Sequence, residues 1–176
     1  MSGIQRPKAD EFAPFYANYV EGVPDGDIVA TLRQQAVDLT ALLGGLSAEQ
    51  AEHRYAPDKW TIKEVVGHVT DTERIFAYRA LRICRGDATP LAGFDQDTYV
   101  VSAQFGRRTM AELLSEFGAV RAATVALFAG MSDEESRRAG SANSVPVTAR
   151  ALAWIAAGHE RHHARILRER YLKRGA

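Results

Sequence analysis

Apolar residues recur every three or four positions along most of the chain, and strict alternation is nowhere sustained, so the pattern predicts helices. Ile28, Leu32, Ala36, Leu39, Leu43 and Leu46 form the first stripe, whose end the Gly44-Gly45 pair frays. Ser47-Ala-Glu-Gln50 has the form of a capping box and opens a short helix that stops before Pro57. Thr61-Ile-Lys-Glu64 is a second box, with Trp60 before it as half of a hydrophobic staple. The helix it opens runs to about Arg85, with Ile62, Val65, Val69, Phe76, Ala80 and Ile83 inward, and Gly86-Asp87 ends it. Thr109-Met-Ala-Glu112 is a third box, opening a helix that turns Leu113, Leu114, Phe117, Val120, Thr124 and Phe128 inward. A polar stretch follows Gly130, then a loop at 140–147 in which Ser144 to Val147 is the nearest approach to a strand. Thr148 caps the last helix, which is expected to reach about Lys173.

Two segments lack a helical period. Residues 1–26 read as an extended arm that packs Phe12, Phe15, Tyr16 and Tyr19 on the body, and 87–108 as a long crossover loop. Four long helices with one long central connection predict an all-α fold, a four-helix bundle with a crossover spanning 27–176.

Composition narrows the class of function. Lys+Arg and Asp+Glu each number 22, so no charge excess points to nucleic acid or an anionic membrane surface. The single cysteine, Cys84, excludes an internal disulfide, and no apolar run resembles a signal-peptide core or a membrane span. The expectation is a cytoplasmic protein acting on a small molecule.

The chemistry concentrates in histidines. His159 and His163 stand four residues apart, about 40° from one another around the last helix, and share a stripe with Leu152, Ile155, Ala156 and Ile166. His162 falls at the edge of that stripe, and Arg161 and Arg168 point to solvent. One core histidine is most simply explained as a hydrogen-bonded side chain. Two imidazoles on one buried face need partners for four ring nitrogens and repel if both are protonated, and a divalent cation answers both demands. With a third imidazole they make a metal site that keeps one position open. His68 lies about 90° from the apolar centre of its helix, where a cleft-lining ligand and a surface histidine would both lie. Glu73 falls within about 50° of that centre, an awkward place for a carboxylate. It either neutralises a buried arginine or contacts the site, and in the second role it is a candidate catalytic side chain. Asp71 and Lys63 read as solvent-facing.

The stretch Trp60-Thr-Ile-Lys-Glu-Val-Val-Gly-His68, continuing through DTERIFAYRALRICRGD, resembles the second-helix signature of the DinB-like superfamily. The later GHERHHARIL resembles that family's paired-histidine motif. The resemblance covers about residues 28 to 172. It implies a four-helix bundle of unusual crossover connectivity, often a homodimer, that holds a divalent metal through His68, His159 and His163. Relatives of this kind include enzymes that use low-molecular-weight thiols, so such a thiol is an implied cosubstrate. Zinc or nickel suits three imidazoles best.

Other motifs compete for the same residues. His159-Glu160-Arg161-His162-His163 matches HExxH, the zinc-peptidase helix with Glu as general base. No strand pattern exists to align a peptide, and Glu160 falls about 80° off the stripe centre. Cys84 reads as a packing residue near a helix end; an exposed thiol between Arg82 and Arg85 would instead be activated. His53 reads as a surface residue, and Trp60 and Trp154 as core or interface residues. Asp95, Asp97 and Tyr99 sit in the crossover, where the sequence assigns them no role. Two readings of function stand: a metal-dependent transferase or hydrolase activating a thiol or water, and a metal-stabilised or small-molecule-binding bundle without turnover.

Overall fold

The computed structural model describes residues 4–172. In chain order its elements are α1 (Ala17–Glu21), α2 (Ile28–Leu43), α3 (Ala48–Ala51), α4 (Ile62–Cys84), α5 (Gln96–Ala103), α6 (Met110–Ala129), α7 (Asp133–Arg137), β1 (Ala139–Ala142), β2 (Val145–Thr148) and α8 (Ala149–Ile166). A π-helical turn, Leu167–Tyr171, continues α8, and the expected end at Lys173 lies outside the described residues. The four long helices make the bundle: α4 packs on α6 and α8, and α2 packs on both from the other side. No helix among the described residues is long and apolar enough to cross a membrane.

Capping fixes where the long helices start. Thr61 Oγ1 accepts from Glu64 N at 3.1 Å while the Glu64 carboxylate accepts from Thr61 N at 2.7 Å. Thr109 with Glu112 and Ser47 with Gln50 repeat this reciprocal pair, and Thr148 caps α8 through Ala151 N.

Five local expectations are corrected. The arm is not wholly extended: 3₁₀ turns and the five-residue α1 fold it against α8, with Phe12 buried, Tyr16 and Tyr19 half-buried and Phe15 exposed. The crossover carries α5, capped by Asp95, and a 3₁₀ turn at Phe105–Arg107. The polar stretch after Gly130 holds α7, opened by a fourth capping box, Ser132 with Glu135. Lys63 is buried, because its ammonium reaches Glu52 at 2.6 Å and the Gly106 carbonyl at 3.2 Å. The expected loop at 140–147 is instead an antiparallel hairpin in which β2, one residue later than the Ser144–Val147 tetrad, pairs with β1, and Leu91 of the crossover bridges onto β1 at Ala142.

The core is built in two apolar halves. One gathers Ile28, Leu32, Phe76, Phe128, Leu152 and Trp154; the other gathers Leu39, Leu43, Val65, Val69, Leu113 and Phe117. Between them each long helix contributes a buried polar side chain: Gln35, Glu73, Arg121, and His159 with Glu160. On α2 the order is Leu32, Gln35, Leu39; on α6 it is Phe117, Arg121, Val125. A polar layer therefore crosses the bundle at one level.

Candidate metal centre

Histidines from two helices converge at the edge of this polar layer. The α4–α8 packing brings His68 against His159, with their Nε2 atoms 3.1 Å apart. Ring centroids stand 5.0 Å apart for His68 and His159, 4.9 Å for His68 and His163, and 4.6 Å for His159 and His163. One nitrogen from each of the three lies within 4.8 Å of the other two. In a tetrahedral zinc site with bonds of about 2.0–2.1 Å, ligand nitrogens stand roughly 3.3 Å apart. The His68–His159 pair is close to that spacing, and the pairs with His163 lie within 4.8 Å.

Neighbouring side chains orient the imidazoles. The Thr72 hydroxyl lies 3.4 Å from His68 Nδ1, and Nε2 is the nitrogen that faces His159. The Trp60 ring lies tilted against His68 with centroids 4.7 Å apart, and Tyr171 Oη donates to the Trp60 carbonyl at 2.8 Å. The ring of Tyr19 on α1 meets both His159 and His162 edge to face with centroids 5.5 Å apart, and Phe76 meets His159 in the same way at 5.9 Å. His68 is thus 4% exposed, not the boundary residue its helix phase predicts, because Trp60 and α8 cover that flank. His159 is buried as expected, whereas His163, expected on the same buried face, is only half-buried, like His162 at the rim.

Burial lowers the proton affinity of the set. It holds His68 down to about 4 and His163 down to about 3, the latter helped by the charges of His68 and His162. His159 falls well below its ordinary value, through burial first and the neighbouring imidazoles second. Three neutral imidazoles at neutral pH present lone pairs, the protonation state a cation requires. Each folded pKa lies below the unfolded value near 6.5, so the unfolded chain binds more protons between the two. The stability this contributes is complete above pH 6.5 and is lost as pH falls toward about 3. Urea midpoints of chelator-treated protein should therefore fall steadily from pH 6.5 downward. A midpoint flat between pH 7 and pH 4 would contradict the burial of these rings.

Other candidate residues are placed plainly. Both Glu73 oxygens accept from Arg121, each at 2.7 Å, so Glu73 neutralises a buried arginine, the first of the two roles its position allows. Glu160, off the stripe centre by its phase, is nonetheless buried, and burial pushes its carboxyl up to about 7. It is not among the three clustered ligands. Cys84 is fully buried with its thiol pKa raised by burial, the opposite of an activated nucleophile. His53 is exposed, and Trp154 lies in the apolar core. Arg121 is the residue that sequence reasoning could not name. Its guanidinium also donates to the Leu32 carbonyl and to Gln35 Oε1, at 2.8 and 3.1 Å, tying α2 and α4 to α6.

The fold has a solved counterpart. YfiT from Bacillus subtilis superposes with a TM-score of 0.72 at 15% identity, over 80% of this chain and 84% of that one. It is described as "a probable metal-dependent hydrolase with an unusual four-helix bundle topology". No functionally curated protein matches this chain in sequence. The DinB superfamily profile matches residues 31–167, a span that holds all three clustered histidines, and the chain belongs to the DinB superfamily.

Proposed function

We propose that His68, His159 and His163 hold a divalent metal ion, zinc or nickel, and that the protein is a metal-dependent enzyme of the hydrolase or thiol-transferase type. The observation that carries this reading is the convergence of three imidazoles, held neutral by burial, with their ligand atoms within 4.8 Å. No thiolate or carboxylate belongs to the set, so a bound cation keeps its full charge and lowers the pKa of a coordinated water or thiol toward neutrality. The rest is done by the chain. Thr72 meets His68 on its Nδ1 side, Trp60 and Phe76 cover two sides of the cluster, and Tyr19 bounds a third. The description of YfiT lends support to water as the activated group. A low-molecular-weight thiol remains the cosubstrate that the family resemblance implies. The HExxH peptidase reading is less well supported, because Glu160 is buried beside the Arg121–Glu73 pair.

Elemental analysis of three purified variants tests the ligand set. His159→Ala and His163→Ala should lose the metal, and His162→Ala should retain it near wild-type stoichiometry. The pair 159 and 162 is sterically possible at i, i+3, so the experiment separates real alternatives. A full site in His163→Ala with an empty one in His162→Ala would overturn the assignment.

A metal that only stabilises the bundle is favoured by one observation, the near-complete burial of His68 and His159. Melting with and without chelator separates the two readings. A structural ion should cost a large fraction of stability when removed, and a catalytic ion in a well-filled core much less.

A further inference from the structure

Three arginines are buried in the described residues, and only two have carboxylates. Arg121 has Glu73, and Arg150 has Glu11. Arg79, on α4, is 3% exposed, and among the described residues no carboxylate pairs with it. Its Nη2 donates to the Ala92 carbonyl at 2.7 Å, and its other polar neighbour is the Tyr16 hydroxyl. A guanidinium carries five N–H donors and a charge that stays on at any physiological pH. A buried charge without a counter-charge is disfavoured unless something else neutralises it.

The space beside Arg79 is shaped for that something. A cavity of about 360 Å³ lies between α4 and the crossover, with Arg79 in its lining. Tyr78, Phe94 and Tyr99 give it aromatic walls, the last two with ring centroids 5.2 Å apart. Leu91 anchors the crossover wall, donating from N to the Ser141 carbonyl and accepting from Asn143 N, both at 2.9 Å. Arg82, at the rim, is already engaged by Asp87 and the Tyr78 hydroxyl. The wall is therefore held in place and the buried cation on it is left for a ligand.

We infer that this cavity binds a small anion, with an oxyanion headgroup on Arg79 and a planar apolar body against Phe94 and Tyr99. A guanidinium fork fits a carboxylate and a phosphate equally well, and flat rings favour a flat partner. Arg79 follows His68 by eleven residues on α4, about 16 Å of helix, so this site is separate from the histidine cluster.

The test uses chelator-treated full-length protein, so that no anion can ligate a metal. Benzoate, phenyl phosphate and neutral benzamide are titrated while the Arg79 Nε–Hε resonance is followed by NMR, assigned by its loss in Arg79→Lys. At least one of the two anions should shift that resonance saturably, benzamide should not, and the tighter anion identifies the headgroup. Arg79→Gln should weaken binding about tenfold or more, the range of a charged hydrogen bond. If Arg79→Gln does not fold, Tyr99→Ala serves instead, since Tyr99 is 46% exposed and its loss leaves the core intact. Failure of both anions to move the resonance, or unchanged affinity in the folded variant, would overturn the inference.

Discussion

Replacing Arg121 by Met is expected to destabilise the protein by about 3–5 kcal/mol, a large share of the roughly 5–15 kcal/mol that holds a domain together. The side chain is 1% exposed and its partner Glu73 is 3% exposed. Without Arg121 the Glu73 carboxylate is a buried charge with no counter-ion, and the Leu32 carbonyl and Gln35 Oε1 lose the Nη1 that donates to both. The double variant Glu73→Leu with Arg121→Met removes the stranded charge and leaves only the neutral acceptors. It should be more stable than Arg121→Met alone, because most of the single-variant loss is orphaned charge, not lost attraction. Urea unfolding of the wild type and the three variants completes the cycle. Simple additivity, with the double variant losing the sum of the singles, would mean that the pair is not a coupled unit.

The same polar layer shows what was legible in the sequence. Capping boxes at Ser47, Thr61 and Thr109 read directly, because the cap and its N3 partner lie three residues apart and need nothing from elsewhere in the chain. His159 also read correctly: helix phase alone put it in the middle of a stripe. His68 and Lys63 did not, because the side chains that bury them, Trp60 and α8 in one case and Glu52 and the 3₁₀ turn in the other, belong to other elements. Glu73 was recognisable as a misplaced charge, but its answer lies 48 positions along the chain. Arg121 sits one helical turn after Phe117 and one before Val125, a phase that a long surface arginine also tolerates. Helix α5 escaped because eight residues with no apolar face give no period to detect.

Two glycine-to-alanine substitutions should act with opposite signs, and the difference lies entirely outside their own helices. Intrinsic propensity favours alanine over glycine in a helix interior by about 1 kcal/mol. At Gly118 on α6 a β-carbon would meet nothing within 4 Å, so Gly118→Ala should stabilise by about 0.5–1 kcal/mol. At Gly158 on α8 the β-carbon would stand 2.1 Å from the Tyr19 carbonyl oxygen and 2.8 Å from its Cα, both backbone atoms of α1. No rotamer change relieves a clash with backbone, so α1 must lift away. Overpacking of this kind costs about 1–3 kcal/mol or more, which exceeds the propensity gain. Tyr19 would move with α1, and its ring would leave the edges of His159 and His162. Gly158→Ala is therefore expected to lower the urea midpoint and to weaken metal retention against a competing chelator, while Gly118→Ala raises the midpoint and leaves retention unchanged. A Gly158→Ala protein as stable as Gly118→Ala would show that α1 does not press on α8 as the backbone contact requires.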